Sequence, residues 1–340
     1  MGERLELVPR RVAASLDELI PPGATVAPFA TAQNRSGSTF EEVRLDGQRL
    51  VLKRIELDRD FLMRASGDIG CRAVTAYAAG LLDVAADGID HAVLGAARGV
   101  GRQGRGGAFL MRDVSSDLVA PGDDPLSEEQ HLRFVDHHAL LCARTWGWED
   151  TLGLMPFGQR WQLFGPDVID VERRAGWPED VPRIAAEGWE RFAARSPATV
   201  VRAIDEIVHD PTPFVLALRQ LPSCLLHGDW KAANLGTASD GRTVLIDWAQ
   251  VGAGPACHDL GWYLALNRRK LPVGHSRERV IEDFRAALER HDIETNPWWD
   301  RQLTLCLLGT VLQFGWEKAF GDDEELGWWC DRAAEGIAAL

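Results

Sequence analysis

The chain has 340 residues, of which 46% are hydrophobic and 26% are charged, as is ordinary for a globular protein. Its formal net charge of −14 argues against a polyanionic partner, so no nucleic-acid binding is expected. No run of about eighteen apolar residues occurs, and Met1–Arg10 lacks an apolar signal core, so neither a membrane span nor a secretory signal is predicted. Six scattered cysteines without a C-x-x-C pair argue against a zinc site and favour a reducing cytoplasm.

The first third of the chain is predicted to be rich in β-strands. Residues 1–23 are expected to form a leader with a short helix near Arg11–Leu19. Further on, Asp46-Gly47 lies between two strand-like runs and predicts a tight hairpin. The small and polar segment Asn34–Thr39 lies before that hairpin. Such a segment predicts a loop that offers backbone N–H groups to phosphates.

Helices are predicted to dominate the rest of the chain. Asp68–Leu82 forms one predicted helix, and the capping box Ser127–Gln130 starts a second that runs to about Trp146. Four polar residues with potential metal ligands lie in the second helix: His131, Asp136, His137 and His138. Their spacing lacks the i, i+4 histidine pair of helical zinc sites, so we expect a solvated face. Residues 149–180 show little periodicity and are expected to form a long insertion.

The most informative stretch lies between residues 225 and 248. Asp229 follows one apolar run, Asn234 lies five residues later, and Asp247 follows a second apolar run. The two runs are predicted to be short buried strands. A glycine-containing turn at Ala238–Arg242 is expected to close the runs as a hairpin. This arrangement would bring the three polar side chains together in space.

Phosphoryl transfer to a hydroxyl needs groups of these kinds. One carboxylate must orient the attacking hydroxyl and accept its proton. A second carboxylate and an amide oxygen must hold Mg²⁺ against the phosphates, and hard oxygen ligands suit this cation. The alternative is that Asp229 and Asp247 are ordinary turn residues at strand ends. The combined spacing of the polar positions favours the functional interpretation.

The stretch resembles the aminoglycoside phosphotransferase and choline kinase family. The family's H-G-D-x-x-x-x-N segment, followed by a strand that ends in I-D-[WF], matches His227–Asn234 and Ile246–Trp248 residue for residue. The resemblance implies an α+β, two-lobed, protein-kinase-like fold. The expected parts are a leader at residues 1–23, a β-rich nucleotide-binding lobe at 24–111, a hinge at 112–115 and a mainly helical catalytic and acceptor-binding lobe at 116–340.

The resemblance also implies roles in catalysis and metal binding. Asp229 would be the base, or at least the orienter, of the acceptor hydroxyl. Asn234 and Asp247 would hold Mg²⁺. Lys231, two residues after Asp229, could neutralise charge that develops on the transferred phosphoryl group. Asp259, in a segment similar to the family's G-P-x-x-x-D-L-[AG], would brace the catalytic loop or cap its own helix.

Five further residues are implied to bind the nucleotide. Lys53 would meet the α- and β-phosphates of ATP, and Ser36 and Gly37 would belong to the loop that covers them. The backbone around Arg112 and Val114 would hydrogen-bond the adenine.

One feature of the family is missing. The family helix carries a glutamate that pairs with the strand lysine, whereas Ala73 stands at that position here. Three aspartates are candidates to replace it: Asp58, Asp60 and Asp68.

The implied activity is an ATP- and Mg²⁺-dependent transfer of the γ-phosphate to a hydroxyl of a small molecule. Aminoglycosides, amino sugars, choline-like amines and other hydroxylated metabolites are all candidate acceptors, and the acidic charge favours amines. Tryptophans and acidic residues near the C-terminus could hold a cationic acceptor, or could instead be core and a solvated turn: Trp298, Trp299, Trp316, Trp328, Trp329, Glu317, Asp322, Asp323, Glu324 and Glu325.

Two alternatives remain open. The missing helix glutamate supports a nucleotide-binding regulator of the same fold that has lost catalysis. A protein kinase ranks lowest, because Asp247-Trp248-Ala249 replaces D-F-G and no A-P-E follows. The sequence leaves the oligomeric state and the preference between ATP and GTP open.

Overall fold

The computed structural model describes residues 7–29 and 37–340 and has an α+β architecture with a smaller sheet-rich lobe and a larger helical lobe. Ser36, expected to belong to the phosphate-covering loop, lies outside these residues. Within the described ranges, none of the helices combines the length and the apolar character needed to cross a bilayer.

The small lobe contains a five-stranded antiparallel sheet in the order β1-β2-β3-β6-β5. Its strands are β1 (Thr25–Pro28), β2 (Thr39–Leu45), β3 (Gln48–Ile55), β5 (Val93–Val100) and β6 (Gly106–Arg112), while β4 (Ile89–Asp90) joins another sheet. The predicted hairpin is confirmed at β2–β3. Asp46 and Gly47 both have positive φ, 49° and 80°, as a two-residue turn of the favoured hairpin type requires.

The helices of the small lobe are shorter than predicted. α1 (Leu16–Leu19) is one turn long. The segment Asp68–Leu82, expected to be one helix, contains only the shorter α3 (Arg72–Ala78) as an α-helix, and a separate α2 (Phe61–Ala65) precedes it. The Asp68 carboxylate accepts hydrogen bonds from the backbone N of Gly70 and Arg72, at 3.3 and 2.9 Å. Asp68 therefore satisfies the start of α3 from outside the helix instead of forming part of it.

The large lobe is built mainly from ten helices among the described residues. They are α4 (Glu128–Arg144), α5 (Phe157–Arg160), α6 (Pro166–Ala175), α7 (Asp180–Arg195), α8 (Ala198–His209), α9 (Thr212–Arg219), α10 (Cys257–Leu266), α11 (Arg277–Arg290), α12 (Trp299–Lys318) and α13 (Asp323–Ala338). The segment 149–180, expected to be a long insertion with little periodicity, contains α5 and α6. Glu172 of α6 pairs with Arg64 of α2 at 2.9 Å, so this segment links the two lobes.

The polar face expected on α4 was also wrong. His131 and His138 are buried, because α4 packs against α11 along this side. The His138 ring stacks between Trp230 and Phe284, with centroid separations of 4.7 and 4.5 Å. Burial lowers the pKa of His138 to about 4, so this imidazole is a neutral core residue.

Four short strands in the large lobe carry the polar residues expected at the site. They are β7 (Cys224–Leu226), β8 (Leu235–Thr237), β9 (Thr243–Leu245) and β10 (Gly252–Gly254). The predicted pairing of the two apolar runs was wrong: β7 pairs with β10, and the turn at Ala238–Arg242 joins β8 to β9. The residues next to a short turn are the nearest partners for a hairpin, so β8 takes the place expected for β7.

Candidate active site

A buried carboxylate holds the loop after β7 in place through hydrogen bonds. Asp259, in the first turn of α10, accepts hydrogen bonds from the backbone N of His227 at 3.0 Å and of Gly228 at 3.1 Å. It also accepts one from His258 Nδ1 at 2.9 Å. Burial opposes ionisation of Asp259, but these bonds and the neighbouring histidines outweigh it and lower its pKa. Ala256 occupies the N-cap of α10, so the capping role considered for Asp259 was wrong.

Gly228 meets a steric requirement in the same loop. Its φ is 85°, and a Cβ at this position would lie 2.4 Å from the carbonyl oxygen of Gln250. Only glycine combines this backbone conformation with so close an approach. The loop therefore has little freedom to present Asp229 in any other position.

His227 joins the two acidic segments. Its Nδ1 accepts from the backbone N of Asp229 at 3.3 Å, and its Nε2 lies 3.0 Å from the carbonyl oxygen of Ile246. Both contacts are satisfied only when the proton is on Nε2, so the ring is a neutral donor to that carbonyl. Burial lowers the pKa of His227, which favours this neutral form. The histidine thus holds the loop of Asp229 against the strand end that carries Asp247.

Asp229 has one engaged and one unengaged carboxylate oxygen. Oδ2 accepts from Lys231 Nζ at 2.8 Å, whereas the buried Oδ1 has no hydrogen-bond partner within the described residues. Burial raises the pKa of Asp229, and the Lys231 ammonium acts in the opposite direction. Asn234 donates through Nδ2 to the carbonyl oxygen of Asp229 at 3.0 Å, so its amide oxygen is the atom that can act as a ligand. An unpaired buried carboxylate oxygen is costly and suits a donor from a substrate.

Lys53 of the small lobe contacts an acidic residue of the large lobe. Its Nζ lies 2.8 Å from Oδ1 of Asp247, although the two residues are 194 positions apart. Burial opposes ionisation of Asp247, but the Lys53 ammonium outweighs it and lowers the pKa of the carboxyl group. Asp247 has a φ of 67°, which is uncommon outside glycine and is concentrated at functional sites.

None of the three aspartates considered as partners of Lys53 pairs with it among the described residues. Asp68 caps α3, and Asp58 is exposed. Asp60 caps α2 by accepting from the backbone N of Met63 at 3.0 Å, and it also accepts from the hydroxyl of Ser38 at 3.0 Å. Burial raises the pKa of Asp60 to about 6, with the Lys53 charge acting against this shift. Asp60 therefore contributes charge near Lys53 without contacting it.

The residues expected around the nucleotide are placed as follows. Gly37 has a φ of 96°, and a Cβ there would overlap the carbonyl oxygen of Arg59. The backbone N of Arg112 donates to the carbonyl oxygen of Ala92 at 2.9 Å, so this N–H is already engaged, and the adenine contact expected from the backbone around Arg112 stays a prediction. The backbone N of Val114 has no backbone acceptor within the described part of the chain.

Arg160 of α5 is a buried residue that the sequence did not single out. Its Nη1 donates to the carbonyl oxygen of Gln250 at 3.1 Å, beside the position that a Gly228 side chain would occupy. Burial lowers its pKa to about 10, and the charge of Asp259 opposes this shift. The residue lies in the segment expected to be an irregular insertion, and no motif marks it.

The acidic and aromatic residues near the C-terminus are largely engaged internally. Glu325 is buried and contacts Arg277, Arg268 and the Nε1 of Trp329, while Arg277 lies over the Trp328 ring with 4.7 Å to its centroid. Asp323 pairs with Arg195 at 2.6 Å. These arginines take the positions that a cationic acceptor would need, so the acceptor pocket considered there is not favoured.

The comparisons with known proteins agree with this site. Residues 157–299 match the family model APH, described as the phosphotransferase enzyme family, and this range includes Asp229, Asn234 and Asp247. The family resemblance predicted from the sequence is therefore confirmed. No curated protein matches the chain.

Solved structures agree with the fold. The choline kinase LicA from Streptococcus pneumoniae is similar over 93% of this chain and 94% of its own, with 13% identity and a TM-score of 0.50. The same kinase in complex with AMP is similar over 95% and 96%, with 12% identity and a TM-score of 0.50. A thermostable mutant of an aminoglycoside phosphotransferase is similar over 93% of this chain and 94% of its own, with 14% identity and a TM-score of 0.46.

At such low identities the likeness to the two kinase structures shows the fold alone. It confirms the α+β, two-lobed, protein-kinase-like architecture expected from the sequence. The family match supports a phosphotransferase.

Proposed function

We propose that the protein is an ATP- and Mg²⁺-dependent phosphotransferase that moves the γ-phosphate to a hydroxyl of a small molecule. The observation that carries this proposal is the unpaired, buried Oδ1 of Asp229. That oxygen lies in a site that also holds the Lys53–Asp247 pair and Asn234. An acceptor hydroxyl that donates to Oδ1 would satisfy this oxygen and be oriented for attack on the phosphate.

The donor set fits a hard divalent cation. Asp247 and Asn234 would hold Mg²⁺ through a carboxylate and an amide oxygen, the ligand types that this cation prefers. When bound with ATP, Mg²⁺ would neutralise charge on the β- and γ-phosphates. Lys53 would bind the α- and β-phosphates from the small lobe, and the lowered pKa of Asp247 keeps that carboxylate ionised.

The residues of the catalytic loop would orient the acceptor and take its proton. Asp229 would accept the proton from the hydroxyl at Oδ1 as the new O–P bond forms. Lys231, held 2.8 Å from the other oxygen of that carboxylate, would lie beside the transferred phosphoryl group and stabilise its charge. The backbone N–H of Val114 would bind the adenine. Residues 24–111 and 116–340 would form the nucleotide lobe and the acceptor lobe, with a hinge between them. We place the protein in the cytoplasm.

The test is ADP release from Mg-ATP across a panel of aminoglycosides, amino sugars, choline-like amines and neutral sugars. We expect acceptor-dependent release by the native chain and a loss of about a thousandfold for Asp229→Asn, because a general base contributes on the order of 10²–10⁴. Binding of ATP without turnover on any acceptor would contradict the proposal and favour a regulator that has lost catalysis. Retained turnover by Asp229→Asn would show that Asp229 is not the base.

A further inference from the structure

A second cluster of ionisable side chains lies away from the catalytic loop. It joins α4, α11 and the turn between residues 271 and 276 through His131, His275 and Asp283, and we call it the α4–α11 cluster. One potential ligand atom from each of the three residues lies within 4.8 Å of the other two. His131 and Asp283 are buried, and the His275 side chain is 15% exposed.

Each residue of the α4–α11 cluster has a buried polar atom without a hydrogen-bond partner in the described part of the chain. These atoms are His131 Nε2, His275 Nδ1 and Asp283 Oδ2. Buried polar atoms are seldom left unpaired, because desolvation without a partner is unfavourable. The three residues come from different segments and their potential ligand atoms lie within 4.8 Å of one another, which indicates a common partner that binds nitrogen and oxygen lone pairs.

The surroundings of His131 are those of a metal ligand. Its Nδ1 lies 2.9 Å from the hydroxyl of Tyr263, which fixes the ring and leaves Nε2 free to coordinate. Arg279 contacts Oδ1 of Asp283 at 2.9 Å, so Oδ2 is the oxygen that faces His131.

The distances are close to those of a coordinated ion. His131 Nε2 and Asp283 Oδ2 are 3.5 Å apart. Two ligands bonded to one tetrahedral zinc ion at about 2.0–2.1 Å would be separated by about 3.3 Å. The rings of His131 and His275 are perpendicular, with centroids 5.5 Å apart, so both can direct a nitrogen to one point without clashing.

We propose that His131, His275 and Asp283 bind a divalent transition metal, with Zn²⁺ as the best match, and that this ion ties α4 to α11. Two imidazoles and one carboxylate form a ligand set that suits Zn²⁺ more than Mg²⁺, and water would complete four-coordination. The absence of C-x-x-C pairs argues against a zinc site built from cysteines. It does not bear on the α4–α11 cluster, whose ligands are histidines and an aspartate. Because Tyr263 belongs to α10, the helix that carries Asp259, the ion would lie next to α10.

The test is zinc retention by the full-length, tag-free protein. After loading with Zn²⁺ and removal of loosely bound metal, we expect about one zinc per chain. We also expect a rise in Tm of about 4 °C when free zinc is about a hundred times Kd. Mg²⁺ at the same concentration should give neither effect. Co²⁺ loaded in place of zinc should show the visible absorption of a tetrahedral site.

Two variants and one control make the test specific. His275→Gln and Asp283→Asn should each lose the bound zinc and the rise in Tm while keeping the helical circular dichroism of the native chain. His209→Gln changes an exposed histidine at the end of α8 and should keep both. The six cysteines are buried, so thiols do not compete for the metal. Zinc absent from the native chain, or retained equally by both variants, would overturn the proposal.

Discussion

Two buried aspartates show how differently the two lobes hold the site. Asp259 in the large lobe accepts from two backbone N–H groups and from His258, and its pKa is lowered despite burial. Asp60 in the small lobe accepts from one backbone N–H and one hydroxyl, and burial raises its pKa to about 6. A buried carboxylate stabilises a fold only where enough donors replace its lost water.

This contrast describes the site as a whole. The loop after β7 is held by Asp259, by His227 and by the tight packing of Gly228, so its position is over-determined. On the side of the small lobe, the described residues contribute the pair between Lys53 and Asp247 and the charge of Asp60 nearby. We therefore expect changes in the loop to affect stability and catalysis together, whereas changes around Lys53 should affect nucleotide binding.

Removal of the Asp259 charge should have the largest effect. Asp259→Asn removes the charged acceptor that the backbone N of His227, the backbone N of Gly228 and the His258 ring share. We expect a loss of roughly 3–5 kcal/mol in the free energy of unfolding, as for other broken buried charge networks. Urea denaturation measures this loss. An exposed control, Asp240→Asn in the β8–β9 turn, should change it by less than about 0.5 kcal/mol. Equal stabilities of the two variants would contradict the bracing role.

Asp60 should show the opposite behaviour with pH. Its folded pKa of about 6 exceeds the ordinary value of 3.8, so the folded state binds this proton more tightly than the unfolded state. Stability is therefore lost as pH rises from about 4 to 6. Asp60→Asn should lack this loss, and its stability relative to the native chain should rise by up to about 3 kcal/mol over that range.

The control for Asp60 is its neighbour Asp58. Asp58→Asn changes an exposed carboxylate two residues away and should follow the native pH dependence. Urea unfolding midpoints between pH 4 and 8 provide the comparison. Parallel curves for the native chain and Asp60→Asn would show that ionisation of the buried Asp60 carboxyl group does not destabilise the fold.

Loss of the Lys53 ammonium should weaken nucleotide binding. We expect Lys53→Met to lower kcat/KM for ATP by on the order of a hundredfold, equivalent to about 2.7 kcal/mol, because one buried cation on the phosphates is removed. Lys270→Met is the matched control, since among the described residues the Lys270 ammonium donates to the Ala120 carbonyl oxygen at an exposed position. Similar kinetics for both variants would remove Lys53 from the site.

Two glycines with similar backbones separate strain from crowding. Gly228 and Gly241 have φ values of 85° and 89°, but only Gly228 would place a Cβ against other atoms. Gly241→Ala should cost about 1 kcal/mol for the backbone conformation alone. Gly228→Ala should cost about 2 kcal/mol more, because the new Cβ meets the Gln250 carbonyl. Thermal unfolding of both variants measures the difference, and equal costs would show that the loop can relax.

The sequence predicted the parts of the site that are local in the chain. Asp229 and Asp247 follow short apolar strands, Asn234 lies five residues after Asp229, and the structure brings them together around His227. The hairpin at β2–β3 was predicted for the same reason, since a two-residue turn determines its own pairing. The roles proposed for these residues stay predictions until the kinetic tests are made.

The contacts between distant segments could not be predicted. The partner of Lys53 lies 194 residues away, and a lone lysine gives no signal for its position. The burial of His131 and His138 depends on α11 covering α4, whereas the sequence of α4 alone resembles a polar face. Arg160 lies in a short helix whose periodicity is too brief to detect.

The central claim is that Asp229 acts on the acceptor while Asp247 holds the nucleotide and its metal. Calorimetric titration of Mg-ATP into Asp229→Asn and Asp247→Asn tests this division without knowledge of the acceptor. We predict that Asp229→Asn keeps the native affinity within about threefold, whereas Asp247→Asn loses on the order of a hundredfold and no longer responds to Mg²⁺. An equal loss in both variants, or a Mg²⁺ response that survives in Asp247→Asn, would contradict the account.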